Sequence, residues 1–124
     1  VAKKSNLDLK KTFKGILASS GNSFVHETES QVILNGSYNI NFTMDLVEKD
    51  MTLFNELSNK LNIPLEISPI VLDIFKDAHK KYGPRAWSSM VVKRLEDNCK
   101  INFRASGYPE ELVDNEKEEK GYEI

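Results

Sequence analysis

A single cysteine, two histidines and no excess of either charge leave few chemistries open to this chain of 124 residues. Cys99 has no second thiol with which to form an internal disulfide, and a lone thiol is most easily kept reduced in the cytosol, so a cytoplasmic protein is expected. His26 and His79 lie far apart with no cysteine at ligand spacing, and no metal site can be argued from them. No apolar run approaches the roughly 20 residues that span a bilayer, and no charged-then-apolar leader opens the chain. With 17 basic against 19 acidic side chains, no overall field would draw the chain to nucleic acid or to an acidic membrane. The glycines, 6 in all, never form Gly-x-Gly-x-x-Gly after a strand, so a pyrophosphate cradle is missing. No serine, histidine and acid arrangement can be read from spacing, which leaves nucleophilic catalysis without support.

What is present is an ordinary globular composition, 40% apolar and 29% charged, at the size of one domain. Val1-Ala2-Lys3-Lys4 carries no cap residue and reads as the last turn of a helix whose start is absent, with Asn6 as its left-handed end. Asp8 then caps a short amphipathic helix through Leu9, Phe13, Ile16 and Leu17. A second helix runs from Phe24 to the Asn35-Gly36 stop, where the flanking residues do not alternate as a hairpin would require. The longest periodic stretch, Phe42 to Leu61, carries Leu46, Val47, Met51, Leu53, Phe54, Leu57 and Leu61 on one stripe and is expected to be the central helix. Ser68-Pro69 opens a fourth helix that ends at Lys80, Lys81 and Gly83, and Ser88 opens a fifth that fades at Asp97-Asn98. The expected fold is all-α, a compact bundle of about five helices over 1–98, followed by an acidic tail over 99–124, extended or partly disordered; a charged tail of this kind is more often disordered than docked, although its aromatic residues pull the other way.

Within the long stripe one residue is out of place. Asp50 follows Leu46 and Val47 by four and three positions and precedes Leu53 and Phe54 by three and four, so it falls among apolar neighbours. A carboxylate buried there without a partner costs several kcal/mol, roughly, and must meet a cation, a donor or a wet cleft. A core aspartate paired with a structural lysine is the plainer alternative. Lys49 could cover apolar surface with its stem while its ammonium reaches an anionic group, and Phe42 reads on spacing as a hydrophobic helix-start residue. His79, beside Phe75 and Tyr82, reads as a half-buried packing residue. Lys3, Lys4, Lys10, Lys11 and Lys14 read as a solvated helix face.

The run Phe42-Thr43-Met44-Asp45-Leu46-Val47-Glu48-Lys49-Asp50 resembles the stretch of 3-hydroxyisobutyrate dehydrogenase-like enzymes in which a phenylalanine precedes a Lys-Asp pair. The likeness continues in register. Leu57 to Pro64 resembles the family's helix end before a Val/Ile-Pro step, Ile74 to Gly83 its Ala-x-x-x-x-Gly helix end, and Trp87-Ser88-Ser89-Met90 the opening of its last helix. Val1 to Asp8 is similar to its Ala-Glu-x-x-Gly-Leu-Asp exit from the long interdomain helix. Asn6 and Asn62 stand where the family usually has glycine, a change that tolerates positive φ.

The resemblance implies an oxidoreductase with an N-terminal Rossmann domain, a long helix bearing a catalytic lysine, and this helical domain closing the cleft. On that reading NAD or NADP is bound mainly by the missing N-terminal domain, the substrate is a small β-hydroxyacid, and the enzyme is a homo-oligomer. No catalytic residue and no metal ligand would lie in this chain, which alone would be inactive. Lys49 would touch the cofactor, Asp50 would hold the catalytic lysine or substrate polar groups, and Phe42 would wall the substrate pocket. A helical protein-interaction module with no catalytic role is the competing expectation. Nucleic-acid binding would need a basic face with aromatic platforms, against which the charge balance argues.

Overall fold

The computed structural model describes residues 1–113 and Gly121. The helices are α1 (Leu9–Leu17), α2 (Phe24–Asn35), α3 (Met44–Lys60) and α4 (Ser68–Tyr82), then a short 3-10 helix (Ser88–Val92) running directly into α5 (Lys93–Cys99). Among the described residues there are no named strands, only isolated bridges at Asn39 with Glu111 and Thr43 with Trp87. The all-α expectation holds.

Several helix ends follow from single residues. Asp8 accepts from Lys11 N at 3.0 Å, and that bond holds its carboxyl below the usual carboxylate range. Ahead of it, Leu7 N donates to Ala2 O and Asn6 N to Lys3 O, with Asn6 at φ 57. These two crossed bonds around a left-handed residue are the pattern with which an α-helix ends. Gly36 closes α2 at φ 100, and Asn62 turns the chain out of α3 at φ 55. Three details depart from the expected pattern. Phe42 lies outside α3, which starts at Met44 because Met44 N and Asp45 N donate to the carbonyls of Ala86 and Pro84, so a neighbouring loop rather than a side chain satisfies the first amides. Ser68 is the first residue of α4 and not its cap, since its hydroxyl accepts from Asn55 Nδ2 at 2.9 Å. The last helix is broken into 3-10 and α turns, with Ser88 and Ser89 buried at its start.

α3 and α4 make the most extensive pair, and the Asn55–Ser68 and Glu48–His79 contacts show that they run antiparallel. Val32 and Leu34 of α2, Tyr38, Met44, and Leu72 and Ala78 of α4 form the buried apolar core. Asp97 fastens α5 to the end of α4, pairing with Lys81 at 2.9 Å and Lys93 at 2.6 Å and accepting from the Tyr82 hydroxyl at 2.8 Å. The hydrogen bonds from Lys93, Lys81 and Tyr82 push its carboxyl far below the ordinary range.

Beyond α5 the chain from Lys100 to Val113 contains no helix and is held against the C-terminal end of α2 and the turn that follows it. Ala105 N donates to Leu34 O at 3.0 Å, Asn35 Nδ2 to Tyr108 O at 3.0 Å, and the Ser37 hydroxyl to Glu110 O at 2.6 Å. The Tyr108 ring meets Phe13 of α1 edge to face at 5.3 Å. This stretch is irregular, with a turn at Ser106-Gly107, and is hydrogen-bonded to the bundle, while Tyr122 and most of the acidic run lie outside the described residues.

Candidate functional site

The stripe on α3 faces the opposite way from the expectation. The side turned toward α4 carries Met44, Glu48, Met51, Thr52, Asn55 and Ser58, of which only Met44 and Ser58 are buried. The other side carries Leu46, Leu53, Phe54, Leu57 and Leu61, and the last four are 54% to 59% exposed. α3 is therefore a peripheral helix, not the central one. Its polar side makes specific contacts with α4, notably Asn55 with Ser68 and Glu48 with His79, and this orients the apolar side outward.

Asp50 sits at the middle of that outward stripe, one turn from Leu46, Leu53, Phe54 and, at seven residues, Leu57. It is not buried. Its carboxylate pairs with Lys49 Nζ at 2.6 Å, with the two side chains 55% and 58% exposed. The expectation of a desolvated carboxylate is corrected on this point: its apolar neighbours are themselves open to solvent. Phe42 is half-buried in the turn before α3, just after Asn41 at φ 57, and its carbonyl accepts from Ser88 N at 2.8 Å. Lys49 and Asp50 are brought together by their ion pair, whereas Phe42 lies outside α3, in the turn that precedes it.

Lys49 also lines a shallow depression of about 260 Å³ with Asp45, Glu48, Thr52, Leu53 and His79. There His79 Nδ1 meets Glu48 Oε2 at 2.5 Å, an interhelical pair that sequence reasoning missed, because residues 31 apart show no spacing signal. Asp45 takes a hydrogen bond from the Thr43 hydroxyl, which with Arg85 at 3.4 Å holds its carboxyl below the ordinary range. His26 is turned inward: its ring stacks on Phe13 at 4.8 Å, with Nε2 3.0 Å from Phe13 O and Nδ1 3.1 Å from the Ser30 hydroxyl. Among the described residues no cluster of three histidine, cysteine or acidic side chains could hold a metal, and no helix is long and apolar enough to cross a membrane.

For a dinucleotide the fit is partial. Lys49 offers an exposed ammonium at the edge of a depression, and the described glycines stand singly, Gly15 inside α1 and Gly36 and Gly83 at helix ends, rather than in a phosphate loop. A dinucleotide could be touched here but not enclosed.

The chain is thus an all-α bundle with an exposed Lys-Asp pair on the open face of α3. The family described as NAD-binding of NADP-dependent 3-hydroxyisobutyrate dehydrogenase matches residues 1–95, and the chain belongs to that family. No curated protein matches the chain. The stretch from Lys100 to Val113 falls outside the matched region.

Proposed function

We propose that this chain is the C-terminal, all-α half of an NAD(P)-dependent β-hydroxyacid dehydrogenase, closing an active-site cleft whose other wall is a Rossmann domain. The observation that carries the reading is the outward stripe of α3: five large apolar side chains open to water, with a carboxylate at their centre. Covering them would contribute roughly 1 kcal/mol per half-exposed leucine at about 25 cal/mol per Å². Membership of the family supports a dinucleotide-binding half with its connecting helix as the covering partner, and the helix-ending pattern at Ala2–Leu7 accords with that reading.

In this reading Asp50 exchanges Lys49 for a cationic or donor group presented by the other half, the catalytic lysine or a polar group of the substrate. Lys49, released, reaches the cofactor at the cleft edge, and Phe42 walls the pocket for a small hydroxyacid. The bound nicotinamide would supply hydride chemistry, and this chain supplies position and charge. Homo-oligomerisation and a cytoplasmic setting, the latter in accord with the lone exposed thiol of Cys99, belong to the same proposal. The isolated chain is expected to be inactive.

The test is Asp50→Ala in the protein carrying both halves: kcat/KM for the hydroxyacid should fall by tenfold or more. Unchanged turnover and KM would remove Asp50 from the site. One observation favours a second reading, a helical protein-interaction module, because Lys49 already satisfies Asp50 within this chain. That reading predicts capture of a partner protein through α3 with no dehydrogenase activity when the upstream half is supplied.

A further inference from the structure

Glu96 is the most deeply buried charged side chain described, at 2% exposure, and no step of the proposed chemistry uses it. One of its oxygens takes Phe103 N at 2.6 Å and Arg104 Nη1 at 2.7 Å, and the other takes a short hydrogen bond from the Tyr38 hydroxyl. Arg104 Nη2 donates in turn to that hydroxyl at 2.9 Å, and Nη1 also reaches the carbonyls of Ile33 and Phe103. The arginine lies over Gly36 so closely that a Cβ there would stand 2.3 Å from Nε. A side chain at 36 would expel it.

The clasp grips one end of an unusual turn. Tyr38 and Asn41, neither a glycine, both hold φ 57, and Phe42 follows immediately. L-residues leave that region readily unless something holds them. Tyr38 is held at its hydroxyl by Glu96 and Arg104 and at its carbonyl by the Ser89 hydroxyl at 2.7 Å. Asn39 bridges to Glu111, and the Ser37 hydroxyl donates to Glu110 O, both on the strap Lys100–Val113 that carries Arg104. The turn that presents Phe42 is therefore clamped between the 3-10 helix and a strap lying outside the family's matched region.

We propose that the strap Lys100–Val113 is a positioning element, and that Arg104 sets the turn from Tyr38 to Phe42 without touching ligand itself. The role of Phe42 in a substrate pocket rests on the function proposed above; the mechanical coupling does not.

The test is amide hydrogen exchange, read residue by residue by NMR on the full chain, for Arg104→Met, Arg104→Lys and Tyr38→Phe. In Arg104→Met the amides of Tyr38, Asn39 and Ser88 should exchange at least tenfold faster, while those of α4 keep their rates. The lysine variant should recover part of the protection. Tyr38→Phe, which removes only the shared hydroxyl and should leave the chain folded, should give the same local pattern. Faster exchange confined to residues 101–108, or spread evenly over α4 in all three variants, would overturn the proposal by making the strap a mere cover. In the protein carrying both halves, Arg104→Met should raise KM several-fold with kcat unchanged. If the amides of the turn respond and KM does not, the clasp stands and Phe42 leaves the pocket.

Discussion

The outward face of α3 and the clasp around Glu96 invert the usual arrangement of a small domain. On α3 four leucines and a phenylalanine stand in water around an exposed ion pair; at the clasp a buried glutamate and a buried tyrosine close on a half-buried arginine. The clasp is complete, with its carboxylate supplied by three donors and its arginine by carbonyls as well. The α3 face is incomplete, because its apolar side chains lack a cover among the described residues. One region explains why the domain holds together, and the other is the surface on which the proposed function rests.

Breaking the complete region should cost most. Glu96→Ala leaves the Tyr38 hydroxyl, Phe103 N and a half-buried Arg104 without their carboxylate and opens a cavity, which together should cost about 3 kcal/mol, visible as a large drop in thermal midpoint. Leu72→Ala, in the core face of α4, should cost roughly 2–3 kcal/mol by denaturant unfolding. Leu57→Ala, the same chemistry on the open face of α3, should cost only about 0.5 kcal/mol in the isolated chain. A Leu57→Ala cost equal to that of Leu72→Ala would mean the α3 face is already covered.

Acid separates the two regions further. Burial alone would raise the Glu96 carboxyl, but the bonds from Tyr38, Phe103 N and Arg104 outweigh it and hold the group below 4.5. Its stabilisation is therefore fully present above the unfolded value near 4.5 and lost as pH falls through the lower folded value. The Tyr38 hydroxyl, pushed up to about 12 first by burial and then by its bond to Glu96, stays protonated throughout. Stability measured against pH should fall on the acid side, and Glu96→Gln should flatten that slope. The smallest expected effect is Asp50→Ala on folding, under about 0.5 kcal/mol, since its ion pair with Lys49 is exposed.

How much of this was legible in the sequence depended on range. Asp8, Asn6, Asn62, Gly36 and the basic end of α4 act on their own turn, and each predicted its turn correctly. The stripe on α3 was legible as a stripe, but periodicity does not say whether the cover comes from this chain or from another. Here it placed Asp50 inside when the face looks out. Glu48 with His79, and Tyr38 with Glu96 at a separation of 58, had no local signal, because such pairs exist only once the helices are packed. The strap was hard to read for the same reason: its composition argues for an open tail, and what ties it down is a glutamate and a tyrosine supplied by other parts of the chain.

The account turns on whether the α3 face is covered by a dinucleotide-binding half. With the native thiol removed by Cys99→Ser, a thiol placed by Leu57→Cys can be timed in its reaction with a small alkylating reagent, in the isolated chain and in the protein carrying both halves. A labelling rate that is fast in the first and at least tenfold slower in the second is the predicted result. Equal rates would leave the face open in both and contradict the proposed cleft.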